Sequence, residues 1–205
     1  SIMGIFVVLV FAKASGTINE INTQQLRLHL TRNITHFIGQ NLWFFALNAI
    51  TLAQLFAFEF SVPVWVALFA PFFLSEKLTL KRFMAASIGF IGILIVARPD
   101  QMGITPGIIA AALCAICFTG TGIATKLLTR NQSITCILFW LTMMQAIFGV
   151  VCAGYDFQIT TPSKTTLPWV VLIGFAGLTA HFCITRALQL ADAMVVYPMD
   201  FVRLP

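Results

Sequence analysis

From Ile104 to Leu128 the chain carries one full charge, Lys126, close to the end of an otherwise apolar run. A helix that crosses a bilayer needs about 20 mostly apolar residues, and a soluble domain has little use for a stretch of that kind. Comparable runs recur along the sequence, so the chain is read first as a set of spans. Composition agrees: 59% of the residues are hydrophobic and 9% charged, against roughly 45–50% and about 25% in soluble domains. So few charges cannot coat a soluble surface without leaving large adhesive patches. Disorder is excluded as well, since it requires low hydrophobicity and high charge.

The runs are Ile34–Ala53, Leu55–Leu74, Phe83–Ala97, Ile104–Leu128, Ile134–Gly154 and Leu167–Ile184. Ile2–Ala12 is half a span, and Ala193–Pro205 begins another. The prediction is an all-α polytopic membrane helix bundle with six complete spans and a partial one at each end, as in a segment of a longer protein. Threading the spans alternately places Lys13, Arg27, Arg32, Lys77, Lys81, Arg82, Lys126, Arg130 and Arg186 on one side. Arg98 and Lys164 fall on the other, while Arg203 lies within the last helix. An excess of Lys and Arg marks cytoplasmic loops, so the side with nine cations is cytoplasmic. The net charge of +5 follows from those loops, and the cations are too dispersed for a nucleic-acid surface. The five cysteines all lie in apolar runs. Cys114 and Cys117 have C-x-x-C spacing, but without further ligands or a soluble βα context they read as packing residues. Ala85, Ala86, Gly89, Gly92, Gly120 and Gly122 are small residues of the kind that let helices approach closely in lipid.

A charge at bilayer depth is costly and marks a functional candidate. Glu59 lies in AFEFSVPVW with Pro63 one turn on, and Asp200 lies in VYPMDFVRLP two residues after Pro198. Arg203 follows Asp200 by three positions, so the two form either an intrahelical ion pair or part of a site. Gln40, Asn41 and Trp43 precede Glu59 on the neighbouring span, and His181 precedes Asp200. Prolines beside buried acids free backbone carbonyls, making Pro63 and Pro198 candidate helix breaks.

An offset of 141 residues aligns these two regions. Ala46-Leu47-Asn48 meets Ala187-Leu188-Gln189, Phe56 meets Tyr197, and Glu59-Phe60 meets Asp200-Phe201. Five crossings separate the equivalent helices, so the copies are inverted with respect to each other. Inverted repeats with polar or broken helices near the midplane are a layout of secondary transporters.

Ser75-Glu76-Lys77-Leu78-Thr79 with Arg82, then Gly89, Gly92 and Ala97-Arg98-Pro99, resembles the first repeat of the EamA-type drug/metabolite transporter superfamily. Thr185-Arg186-Ala187-Leu188-Gln189-Leu190-Ala191-Asp192-Ala193 and Tyr197–Pro205 are similar to its second repeat. The resemblance implies ten helices in two inverted five-helix units. The first repeat would cover 1–99 and the second 104–205, with the chain running from the end of the second helix to the middle of the ninth. It further implies carriage of a small organic metabolite (an amino acid, nucleotide sugar or S-adenosylmethionine-like compound) across a bacterial inner membrane. Glu59, Asp200, Arg203, Trp43, Gln40, Asn41 and His181 are the expected pathway residues. The expected partners are the bilayer, a small-molecule cargo, and a proton or counter-metabolite, with no cofactor, metal or nucleic acid.

Two other classes of function fit the residues less well. An intramembrane enzyme needs a nucleophile with a positioned base, or a metal constellation. Instead His29, His36 and His181 are scattered, and no Gly-x-Ser-x-Gly or His-Glu-x-x-His motif occurs. A scaffold without cargo would turn Glu59 and Asp200 away from any cavity.

Overall fold

The computed structural model describes residues 2–97, 103, 105–155 and 163–203. They form a helical membrane bundle with no strand among them: α1 (Ile2–Ala14), α2 (Leu26–Ala49), α3 (Leu52–Glu59), α4 (Val62–Phe73), α5 (Leu80–Ala97), α6 (Pro106–Leu128), α7 (Ile134–Ala153), α8 (Leu167–Leu190) and α9 (Ala193–Val196). A 3-10 helix, Tyr197–Arg203, continues from α9. Among the described residues four segments are long and apolar enough to cross a bilayer: Leu52–Phe73, Pro106–Leu128, Ile134–Ala153 and Leu167–Leu190.

Hydropathy misplaces the end of α8, which runs to Leu190 past the expected Ile184, and more consequentially the start of α2. α2 starts at Leu26, ahead of the expected Ile34, and draws the supposed loop residues Arg27 and Arg32 into a 24-residue helix. At 1.5 Å per residue it is about 36 Å long. His29, Arg32 and Asn33 lie on its buried face, where averaging over a window conceals them. Local chemistry sets the other starts. Thr51 and Gln54 form a reciprocal capping box at α3, and the hydroxyls of Thr105 and Ser133 each accept a backbone N–H in the first turn of α6 and α7. Such caps satisfy N–H groups that a helix leaves without internal partners.

α6 runs through the middle, against α2 most extensively and also against α3, α4, α8 and α9. Lipid tails are as apolar as leucine, so close packing holds helices together here more than the hydrophobic effect does. Small residues permit that packing. A methyl at Gly39 would press on Cys117 and Phe118 of α6 at 3.0 Å, and one at Gly107 would meet Ala49 and Ile50 at 2.7 Å. Gly122 of α6 and Gly89 of α5 receive the rings of Tyr197 and Phe201. Both rings belong to the 3-10 helix, which is thereby seated against helices from either half of the chain.

The expected span Leu55–Leu74 is interrupted. α3 ends at Glu59, Phe60 and Ser61 form a joint, and Pro63 enters the first turn of α4. Proline has no N–H to offer the carbonyl four residues back, which is that of Glu59. At the end of the bundle that carries Lys126 and Arg130, polar contacts tie elements from the two halves of the chain together. The buried Glu76 carboxylate accepts the backbone N–H groups of Ala193 (2.8 Å) and Met194 (3.1 Å), capping α9. Asp192, the residue at the cap position, makes no side-chain cap and pairs instead with Arg82 at 2.9 Å. Lys126 donates to the carbonyls of Leu188 and Ala191, each at 2.7 Å, and Arg130 donates to that of Leu74.

Candidate functional site

Several elements converge on a cavity of about 220 Å³ inside the bundle. The end of α3 contributes Glu59, and α8 contributes His181. Asp200 and Tyr197 come from the 3-10 helix, Arg32 and His36 from α2, and Phe118, Thr121 and Thr125 from α6. The site thus combines two carboxylates, a guanidinium, two imidazoles and a phenol on one internal space. Three of these groups, Glu59, His181 and Asp200, were expected from the sequence.

Glu59, Arg32 and the two imidazoles are held by neighbours. The indole N–H of Trp43 donates to Glu59 Oε2 at 2.8 Å, so Trp43 orients the carboxylate from the adjacent helix. Arg32 is 1% exposed. Its Nε donates to Thr125 Oγ1 at 3.3 Å and its Nη1 to Asn33 Oδ1 at 3.0 Å, while Nη2 lies 3.5 Å from His181 Nδ1. Thr125 donates its own proton to the Thr121 carbonyl at 2.7 Å, which leaves its lone pairs for Arg32. Asn33 is fixed in turn, donating to the His29 carbonyl at 2.8 Å and receiving Gln145 Nε2 at 3.3 Å. His36 and His181 stand edge to face with ring centres 4.9 Å apart.

The remaining expectations separate. Gln40 and Asn41 are exposed and do not line the cavity. Asn41 donates to the Phe37 carbonyl of its own helix at 2.7 Å, so its amide is satisfied locally and does not need an internal site. Pro63 is buried beside the joint below Glu59, and Pro198 sits where α9 gives way to the 3-10 helix. The Arg203 side chain lies outside the described residues, as do Arg98 and Pro99. Arg32, His36 and Tyr197 were not expected at the site. The cation count assigns Arg32 to a loop, and the signal that finds it is helical spacing. His29, Arg32, Asn33 and His36 recur at intervals of one turn, forming a polar stripe that enters an apolar helix. Among the described residues no group of three or more His, Cys, Asp or Glu side chains is placed to hold a metal ion.

These features define an integral, multi-pass membrane protein whose ionisable groups gather around an internal cavity. Residues 1–98 match the EamA-like transporter family, which supports membership of the drug/metabolite transporter superfamily. It is 26% identical over 186 residues to an S-adenosylmethionine uptake transporter of Rickettsia conorii, covering 91% of this chain and 63% of that protein. It is 30% identical over 189 residues to a riboflavin transporter of Brucella anthropi, covering 90% of this chain and 66% of that one. A riboflavin transporter of Vibrio cholerae is 28% identical, with 99% and 68% covered. A solved crystal structure shares the fold with a TM-score of 0.78 at 20% identity, over 97% of this chain and 70% of that one. The chain therefore spans 63% of the length of the S-adenosylmethionine transporter it matches.

Proposed function

We propose that this protein is a secondary-active carrier of a small organic metabolite, working by alternating access around the Glu59–Asp200 cavity in a bacterial cytoplasmic membrane. The observation that carries this reading is the opening of both intramembrane acids, Glu59 and Asp200, on one cavity. A cargo-free scaffold would keep such costly groups turned away from it. The named activities of the relatives, uptake of S-adenosylmethionine and transport of riboflavin, support the general class.

The halves 1–99 and 104–205 are taken as inverted repeats. In support, α2 and α8 are both 24 residues long and begin 141 positions apart. The cap positions Thr51 and Asp192 share that offset. Phe60 and its counterpart Phe201 touch, with ring centres 6.1 Å apart. Contact between equivalent residues is what a two-fold axis through the site produces.

Protonation makes a carboxylate cheap to carry past a low-dielectric barrier, which suits Glu59 and Asp200 to a proton-coupled cycle. The groups that would tune them from the packed elements are Arg32 and His36 on α2, His181 on α8, and Tyr197. The test is uptake by the complete transporter in proteoliposomes, comparing Glu59→Gln and Asp200→Asn with wild type. Loss of acid-driven uptake in either variant, with exchange of internal for external cargo retained, is the expected result. Normal rates in both variants would sink the acidic-site reading.

A further inference from the structure

We infer that Glu76 and Asp192 alternate as the cap of α9, and that this exchange gates the cavity at the end of the bundle carrying Lys126 and Arg130. This rests on the carrier reading above, since a cargo-free protein has no use for a gate. α9 leads directly into the 3-10 helix, which supplies Tyr197 and Asp200 to the cavity wall. Whatever holds the start of α9 therefore holds that wall. The holder is Glu76, which lies between α4 and α5 in the other half of the chain. Its carboxylate accepts the N–H groups of Ala193 and Met194.

α9 also has a cap of its own standing idle. Asp is among the preferred N-cap residues, and an N-cap residue has extended backbone angles. Asp192 occupies the cap position with φ −61° and ψ 146°. Thr51, which does cap α3, has nearly the same angles, −69° and 152°, and lies one repeat offset away. Yet the Asp192 carboxylate makes no cap bond and pairs with Arg82 instead. Rotation about its side-chain bonds would turn it onto the first-turn N–H groups, that of Met194 among them, which Glu76 holds now. One short helix thus has two caps, one from each half of the chain, competing for the same donors.

The Glu76 arrangement is tensed and easily hydrated. Ser75, immediately before Glu76, has φ 57° and is the one non-glycine residue at positive φ among the described residues. That conformation is costly for a residue with a Cβ and persists where its surroundings enforce it. Release of α9 would let this turn relax. Glu76, Arg82 and Asp192 border a polar space of about 490 Å³ together with Lys126 and Arg130, so water can take over each broken contact and the net cost of release is small. Arg82, giving up Asp192, borders the same space as the freed Glu76 carboxylate and can neutralise it. Both arrangements keep the α9 donors satisfied, which makes the element bistable.

The experiment uses the complete transporter in a cysteine-free background, with Ile184→Cys as a reporter on the cavity wall. An impermeant maleimide is presented to one membrane face at a time, and uptake of labelled S-adenosylmethionine and riboflavin is measured alongside. Glu76→Gln weakens one cap and should speed labelling from the Lys126 and Arg130 face by about fivefold or more. Arg82→Gln frees Asp192 and should act in the same direction more weakly, which preserves the test if the Glu76 variant does not fold. Asp192→Ala removes the alternative cap and should slow that labelling several-fold. This last sign is decisive, because a plain tie between the halves would loosen in all three variants. Faster labelling in Asp192→Ala, unchanged labelling in every variant, or no labelling from that face would overturn the exchange while leaving the carrier reading intact. Uptake of neither probe, with labelling as expected, would uphold the cap exchange and overturn its assignment to a cargo cycle.

Discussion

Glu76 does a cap's work from a distance. Its two oxygens take the first N–H groups of α9, where a negative charge is also favoured by the helix dipole. Removing the carboxylate strands two buried donors, and charge-assisted bonds are worth about 1.5–3 kcal/mol each before relaxation. Glu76→Ala should destabilise the protein by about 2 kcal/mol, lowering its Tm in detergent by about 4–8 °C. The Arg82–Asp192 pair is half in solvent, with side-chain exposures of 29% and 45%, so Arg82→Gln should cost only about 0.2–1 kcal/mol. Equal Tm losses in the two variants would refute that ordering. At this scale the sequence was legible where an acid interrupts an apolar run, as Glu59 and Asp200 do. It was opaque where a charge borders a polar stretch, as Arg32 does, because hydropathy cannot tell the buried edge of a helix from a loop. Gln40 and Asn41 mislead for the opposite reason: a polar side chain on a membrane helix can satisfy itself on its own backbone, as Asn41 does.

Among the elements, the joint between α3 and α4 is slight. Phe60 (φ −74°, ψ 0°) and Ser61 (φ −74°, ψ −16°) remain close to helical geometry, and the Ser61 hydroxyl donates to the Phe58 carbonyl at 2.6 Å. Little besides Pro63 prevents Leu52–Phe73 from running as one helix. Pro63→Ala restores the missing donor in a turn where proline was already tolerated, so stability should change by less than about 1 kcal/mol. Uptake should nevertheless fall several-fold, because the carboxylate would then ride on a stiffer rod, and amide exchange at residues 60–64 should slow. Unaltered uptake alongside slowed exchange would show that the joint has no part in the cycle. The apolar runs predicted the helices themselves well, since length and hydrophobicity are what a bilayer selects. Phe60 and Ser61 barely alter local hydropathy, so the joint is marked in the sequence by Pro63, the candidate helix break, and by nothing in the apolar run itself.

For the whole molecule, orientation rests on the cation count alone. Ser75, before α5, and Ser163, before α8, are exposed on what the cation count makes opposite sides of the membrane. In a cysteine-free background, Ser75→Cys should react with an impermeant maleimide only after the cytoplasmic face is opened, and Ser163→Cys should react in intact cells. The reverse pattern would invert the topology. The cavity's full membership was not legible, because it depends on the convergence of helices distant in sequence, with α2, α6 and α8 brought together by small residues such as Gly39 and Gly122.

The contact between Phe60 and Phe201 has a consequence for energetics. On the proposed alternating-access reading, if equivalent residues meet at an axis, the inward-open and outward-open arrangements would be the same packing with the halves exchanged, and their free energies would differ only where the halves differ. One such difference lies in the caps: α3 is closed by its own Thr51–Gln54 box, whereas α9 borrows Glu76 from the other half. A bias of about 1.4 kcal/mol from such a contact is a tenfold preference for one resting orientation. In the proposed carrier it would set where the empty protein waits, while the gradients across the membrane would set the direction of net flux.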